Sequence, residues 1–278
     1  METITVQRFA AFSEGEEGGN PAGVVVAEHM PTADDMQRIA RDVGYSETVF
    51  AAPVGEGWRV RYFAPEVEVA FCGHATIALG AALTRAHGDG RFPLMLNDGA
   101  IEVSGETTDK GLSVALKSPS TTSRPAKAEM LASALALFGM DHRDLDLALP
   151  PAIANAGNDH LILGLSERGA LAAMEYDLDD GAAFMKAHGL TTINLVHAQT
   201  PQQFHSRNAF AIGGVLEDPA TGAAAAALAG YLRDLSWPHL GQIEILQGVD
   251  MGAPSRLLVE IPAELGSPVY VSGDVREL

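Results

Sequence analysis

The strongest constraint on the fold is that the sequence repeats itself. Gly19-Asn20 stands before an apolar run over residues 22–27, and Gly157-Asn158, 138 positions later, stands before another over residues 161–165. Each half then has an acidic helix start, Asp34-Asp35 and Asp179-Asp180, and a glycine helix stop, Gly44 and Gly189, 145 apart. Strand-like runs follow both stops: Thr48-Val49-Phe50 and Ile193-Asn194-Leu195-Val196. Arg61-Tyr62-Phe63-Ala64 is matched by Arg207-Asn208-Ala209-Phe210 at an offset of 146, and Gly73-His74-Ala75 by Gly222-Ala223-Ala224 at 149. A chain rich in Ala and Gly yields single matches by chance. Five matches in one order, with an offset that drifts as loop insertions would make it, argue for a duplicated unit. The 278 residues are therefore expected to form two halves, not one large domain.

Each half reads as several strands and two helices. In the first helix Thr32 is an N-cap with Asp35 three residues on, a capping-box spacing. Met36, Ile39, Ala40 and Val43 follow the i, i+3, i+4, i+7 pattern of one buried face, and Gly44 supplies the left-handed stop. The second helix, over residues 73–86, carries almost no charge, and neither does its counterpart over residues 221–232. Helices that are apolar all round belong in a protein interior, here inside a sheet that wraps around each of them. Short runs rich in Val, Ile, Thr and Phe supply the strands, beginning with residues 3–6. Many short strands per helix favour an α+β fold with mostly antiparallel pairing. Residues 118–125, SPSTTSRP, read as the boundary, so residues 1–120 form the N-terminal half and 121–278 the C-terminal half. A helix over residues 126–138 opens the second half. Pseudo-symmetric halves imply a cleft between them, a favoured place for a small ligand.

Charge and cysteine content restrict the chemistry. The 36 acidic and 18 basic side chains leave a formal charge of -18, which repels nucleic acid and anionic membranes. The single cysteine makes neither an internal disulfide nor a multi-cysteine metal site. The beginning, METITVQRFAAF, has no basic segment leading into an apolar one, and no run is long enough to span a bilayer, so a cytoplasmic protein is expected. There is no HExxH, GxxxxGK[ST], GxSxG or dinucleotide fingerprint. The nine histidines show no metal-ligand spacing, so neither a metal nor an organic cofactor is expected.

Candidate site residues cluster where the two apolar helices begin. A helix N-terminus presents unpaired N–H groups and partial positive charge, which suits a small anionic substrate despite the overall acidity. Gly73 and Gly222 let a ligand approach that backbone. His74 stands in the first turn of one helix and Asp218 just before the other. Glu47, in Tyr45-Ser46-Glu47-Thr48, sits at the start of a buried strand, an unusual place for a solvated carboxylate and a suitable one for a proton-transfer group. Each has an ordinary alternative: Glu47 as a surface residue, His74 as a structural imidazole, Asp218 and Thr221 as helix caps, and Cys72 as an inert buried thiol.

The motifs together resemble the PhzF-like (phenazine biosynthesis) family. They are Gly19-Asn20-Pro21-Ala22-Gly23, Ser46-Glu47-Thr48-Val49-Phe50, Phe71-Cys72-Gly73-His74-Ala75-Thr76, Glu217-Asp218-Pro219-Ala220-Thr221-Gly222, and Gln247-Gly248 with Met251-Gly252 and Pro254-Ser255. They span nearly the whole chain in the family's order. The resemblance implies the diaminopimelate epimerase-like fold, with two α+β halves, each a sheet around a central helix. It also implies a last strand, about residues 268–278, that returns to the first half. It further implies a cofactor-independent isomerase, commonly a homodimer, that moves a proton on a small amino- or hydroxy-carboxylate. Glu47 would carry the proton, with His74 and Asp218 beside it. Ser46, Gly73, Thr221, Gly222 and Ala223 would hold the substrate. Two positions depart from the family pattern: Ala223 stands where Ser is usual, and Ala253 where Arg is common.

Two other readings compete. One is an amino-acid racemase or epimerase. A two-thiol mechanism is excluded because Cys72 has Thr221 as its repeat partner, which leaves Cys72 with a non-thiol second base. The other is a non-catalytic small-anion binding protein, for which a proton-transfer group is superfluous.

Overall fold

The computed structural model describes residues 4–97 and 99–278, which separate into two compact units. The first comprises residues up to Lys117 together with Ser272–Leu278, and the second is Ser118–Val271.

In the first unit the order is β1 (Gln7–Ala11), β2 (Asn20–Val26), α1 (Ala33–Val43), β3 (Thr48–Val54), β4 (Gly57–Phe63), β5 (Glu68–Val69), α2 (Gly73–His87), β6 (Gly90–Leu96), β7 (Gly99–Thr108) and β8 (Gly111–Lys117). The second unit holds β9 (Thr122–Pro125), α3 (Ala128–Leu137), β10 (Ala152–Asn155), β11 (Asp159–Gly164), α4 (Arg168–Ala172), α5 (Leu178–His188), β12 (Thr192–Thr200), β13 (Gln203–Ala209), β14 (Glu217–Asp218), α6 (Gly222–Asp234), β15 (Gln242–Gln247) and β16 (Ser255–Glu260). The last strand, β17 (Tyr270–Glu277), pairs antiparallel with β1, Phe9 lying opposite Glu277.

The pairing is mixed. Strands joined by tight connections run antiparallel, as in β3–β4, β6–β7, β7–β8, β10–β11, β12–β13 and β15–β16. The parallel pairs β2–β3, β4–β6, β11–β12 and β13–β15 each have at least one helix in the connection, because a parallel return needs a long crossover.

The helix ends follow local chemistry. Thr32 Oγ1 accepts from the Asp35 amide, and Gly44 closes α1 at φ 73° with its amide bonded to Ala40 O. Met36, Ile39 and Ala40 are buried against Val25, Phe50 and Phe63. Each large apolar side chain so buried contributes about 1.5–3 kcal/mol. In α5 the cap is Asp177, whose carboxylate accepts from both Asp179 and Asp180 amides. Asp179 and Asp180 lie in the first turn of α5, as Asp34 and Asp35 do in α1, and Asp177 is placed to receive their amides.

Both apolar helices are sheathed by strands of their own unit. α2 packs against β1, β2, β3, β6, β7 and β8, and every residue from His74 to Thr84 is buried. α6 packs against β9, β10, β11 and β16. Small residues make this possible. A Cβ on Gly80 would meet Val114 at 2.6 Å and Val103 at 2.8 Å, and one on Gly230 would meet Thr121 Cβ at 2.4 Å.

One sequence expectation needs correction. Residues 3–6 were expected to be a strand, but the first strand is Gln7–Ala11 and residues 4–6 are unpaired; Thr3 lies outside the described residues. Within the segment 118–125, Thr122–Pro125 forms β9 and pairs with β10. Its Ser, Thr and Pro content suits a short edge strand as well as a loop. Among the described residues no helix is long and apolar enough to cross a membrane.

Candidate active site

The site residues fall into two groups, one in each unit. In the first unit the loop after α1 brings Ser46 and Glu47 to the first turn of α2. The Glu47 side chain is 13% exposed, and its Oε2 lies 3.4 Å from His74 Nε2. Ser46 Oγ is 3.3 Å from the same nitrogen. On the other edge of the ring, His74 Nδ1 lies 3.4 Å from Cys72 Sγ. Three candidates named from sequence, Ser46, Glu47 and Cys72, therefore meet around the imidazole of a fourth, His74, which is itself buried.

That imidazole is held by the helix. Cys72 is the extended N-cap residue of α2 and forms no side-chain cap bond. The Thr76 hydroxyl donates to Cys72 O at 2.7 Å. Its only hydrogen is then used, so Tyr62, 2.6 Å away and fully buried, must donate to Thr76 Oγ1. Burial pushes the Tyr62 phenol far above its ordinary range, so it stays a donor at any physiological pH. This relay fixes the turn from which Cys72 and His74 project. By helix geometry the first amides of α2, from Gly73 onward, have no acceptor within the helix.

In the second unit Asp218, Thr221, Gly222 and Ala223 gather at the start of α6. Thr221 is the N-cap residue, yet its side chain caps nothing. Its hydroxyl instead donates to Asp218 Oδ2 at 2.5 Å and accepts from Asn208 Nδ2 at 2.6 Å. Gln247 completes the group. Its Nε2 donates to Asp218 O at 2.6 Å, and its Oε1 accepts from the Thr221 amide at 3.3 Å. The reading of Asp218 and Thr221 as mere side-chain caps is therefore overturned: their polar atoms bond to each other and to neighbouring strands, and Asp218 is buried.

Beside this group, Arg207 holds Glu217 by two hydrogen bonds, Nε to Oε2 at 3.0 Å and Nη2 to Oε1 at 2.6 Å. Glu217 and Asp218 are successive residues of β14, so their side chains leave on opposite faces. A cavity of about 500 Å³ opens on the Glu217 face, lined by Arg207, Tyr176 and Asp250 among others. Its charges are largely satisfied internally, Asp250 by Arg168 at 2.8 Å.

Sequence reasoning did not foresee the roles of Gln247, Asn208 or the Tyr62–Thr76 pair. Gln247 was visible only as part of a Gln-Gly motif. Asn208 and Tyr62 occupy equivalent places in the repeated Arg-x-x-x runs, which was their one signal. The histidine spacing gave no hint of a metal-ligand set, yet the fold places donor atoms of Glu47, Cys72 and His74 within 4.8 Å of one another.

The architecture is that of the PhzF and proline racemase class of proteins. A PhzF-family protein from Bacillus anthracis matches with a TM-score of 0.86 at 22% identity, covering 100% of this chain and 98% of that one. A probable proline racemase from Agrobacterium radiobacter matches with a TM-score of 0.67 at 10% identity, covering 99% and 91%. Within that class the chain belongs to the phenazine biosynthesis-like (PhzC-PhzF) family, whose pattern it matches over residues 9–275. It is 33% identical to the trans-2,3-dihydro-3-hydroxyanthranilate isomerase of Pseudomonas aeruginosa, over 95% of this chain and 93% of that protein. It is 32% identical to an uncharacterized isomerase of Deinococcus radiodurans, over 91% and 85%.

Proposed function

We propose that this protein is an isomerase of a small amino- or hydroxy-carboxylate, needs no cofactor, and uses Glu47 to carry a proton from one substrate carbon to another. The observation that carries the reading is the position of Glu47: a largely buried carboxylate, 3.4 Å from His74 Nε2 and next to the amide-rich start of α2. As a carboxylate Glu47 accepts a proton from carbon. As the acid so formed it returns the proton to a second carbon of the same molecule. Shielding from water keeps the proton on Glu47 between the two steps. His74 and Ser46 fix the carboxyl and supply polar contacts to the substrate's amine or hydroxyl. The substrate's carboxylate is held by backbone N–H groups at the start of α2, from Gly73 onward. In the second unit Asp218, buttressed by Thr221 and Gln247, is the charged group beside the Gly222 and Ala223 amides at the start of α6.

The P. aeruginosa relative is named for trans-2,3-dihydro-3-hydroxyanthranilate, which makes that compound the first to try. Ala223 and Ala253 replace polar residues usual in the family, so we infer a preferred substrate of the same general kind that lacks the partners those residues would bond. The likeness of the two apolar helices, each opened by glycine and buried along its length, supports the inference that the chain arose by duplication. We also infer a homodimer, as the family resemblance implies, which sedimentation would test.

The test is turnover in D2O, read by NMR, for a panel of such acids. Wild type should place deuterium at carbon, and Glu47→Gln should reduce this by roughly 10²–10⁴-fold while leaving the thermal melt unchanged. Full exchange by the variant would end the proposal. The contact of Cys72 Sγ with His74 Nδ1 favours one second reading, an epimerase in which Cys72 is a base. Deuterium confined to Cα of free amino acids, and lost in Cys72→Ser, would select it.

A further inference from the structure

The Glu47 mechanism leaves one buried nucleophile unused. Cys72 faces the imidazole that also faces the proposed proton carrier. We propose that Cys72, His74 and Glu47 form a site for a thiophilic divalent cation of the zinc class, and that filling it takes Glu47 out of proton transfer. The inhibitory half of this inference rests on the proposed function; the cation site does not.

The donor set carries the argument. Thiolate, imidazole nitrogen and carboxylate oxygen are the three zinc ligand types, and a thiolate selects against hard cations such as magnesium and calcium. Donors on one zinc ion lie roughly 3.2–3.6 Å apart, given bonds of about 2.0–2.3 Å in a tetrahedron. Here His74 Nε2 lies 3.4 Å from Glu47 Oε2 and 3.9 Å from Cys72 Sγ. All three donor atoms are within 4.8 Å of one another, so small side-chain rotations close the site. Ser46 Oγ lies 3.3 Å from the same nitrogen, and water or a substrate carboxylate would take the fourth position.

Placement and charge agree with this. Cys72 and His74 project from one turn of a helix that is pinned by the Tyr62–Thr76 relay, so two ligands are pre-positioned. A thiolate and a carboxylate neutralise a doubly charged cation in a largely buried place, where an uncompensated ion would be costly. Binding releases the Cys72 thiol proton to solvent, so affinity rises with pH. Once ligated, the Glu47 carboxylate shares its negative charge with the cation and becomes a much weaker base toward a proton on carbon.

Cobalt(II) tests the site because it substitutes for zinc and reports its ligands in its spectrum. Chelator-treated protein is titrated with Co2+, then with Zn2+. The expected result is one equivalent bound, with a sulfur-to-cobalt charge-transfer band in the near ultraviolet that Zn2+ abolishes and Mg2+ does not. Cys72 is the only cysteine in the chain, so the band has a single origin. Cys72→Ser should lack the band and bind Zn2+ at least tenfold more weakly in a chelator competition. Glu47→Gln should keep the band with weakened affinity. Thermal melts show that both variants are folded. Absence of the band in wild type, or equal Zn2+ affinity in wild type and Cys72→Ser, overturns the site. A filled site that leaves Glu47-dependent deuterium exchange at full rate overturns the inhibitory role. Stoichiometric binding to a protein that exchanges no carbon acid counts against the isomerase reading, while the cation site stands.

Discussion

Replacing Arg207 by Met strips a largely buried carboxylate at the edge of a cavity of its partner. The Arg207 and Glu217 side chains are only 12% and 9% exposed, and water reaches them from the side of the cavity that they line. Two charge-assisted bonds are lost, at 3.0 and 2.6 Å, along with those Arg207 Nη1 gives to Ala172 O at 2.9 Å and Met174 O at 3.1 Å. Breaking a buried pair by deleting one member costs about 3–5 kcal/mol, mostly from the charge left behind. That corresponds to a fall in melting temperature of roughly 6–20 °C for a unit of this size. Chemical denaturation of Arg207→Met, Glu217→Leu and the double variant tests the argument. The double variant should be more stable than Arg207→Met, because it removes the stranded charge. The Arg207–Glu217 coupling should also survive 1 M salt, unlike that of the exposed Arg38–Asp35 pair. Additive single costs, or a loss under about 1 kcal/mol for Arg207→Met, would show that the pair is solvated and the reasoning wrong.

Two more outcomes can be checked on stability alone. His160 is fully buried with its Nε2 unbonded, and burial pushes its pKa down from 6.5 to about 4. Between those values the unfolded chain binds the extra proton and the folded one does not. Stability should therefore be intact above pH 6.5 and fall by up to about 3 kcal/mol as pH drops to 4, a limb that His160→Gln flattens and that an unchanged limb in the variant would refute. Gly105→Ala would set a Cβ 1.9 Å from Thr84 Oγ1, which already donates to Gly80 O at 2.8 Å. It should cost about 1–3 kcal/mol in a denaturant melt, with much of that recovered by adding Thr84→Ala.

The elements most legible in the sequence are those whose ends are set locally. Thr32, Asp35 and Gly44 define α1 without help from the rest of the chain. The two charge-free helices announce their burial by composition, and Glu47 announces itself as a carboxylate beside a buried strand. What the sequence does not display depends on pairing across distance. β9 has the composition of a loop and becomes a strand only because β10 lies beside it. Asp177 is the cap of α5 because of backbone direction, which a run of three nearby acids does not reveal. Gln247 reaches Asp218 and Thr221 because β15 runs parallel to β13, a partnership between residues 26 and 29 positions apart. The Cys72–His74 contact is a case of close spacing that looks unremarkable until the helix start turns both side chains toward Glu47.

Label transfer within one molecule tests most directly whether Glu47 carries a single proton between two substrate carbons. An accepted amino- or hydroxy-carboxylate, deuterated at the carbon that loses its hydrogen, is turned over once in H2O and the product is read by mass spectrometry. Glu47 is 13% exposed, so a measurable fraction of the deuterium should reappear at the second carbon, and Glu47→Gln should give neither product nor transferred label. Product formed at the wild-type rate by Glu47→Gln, with the same label transferred, would contradict the account.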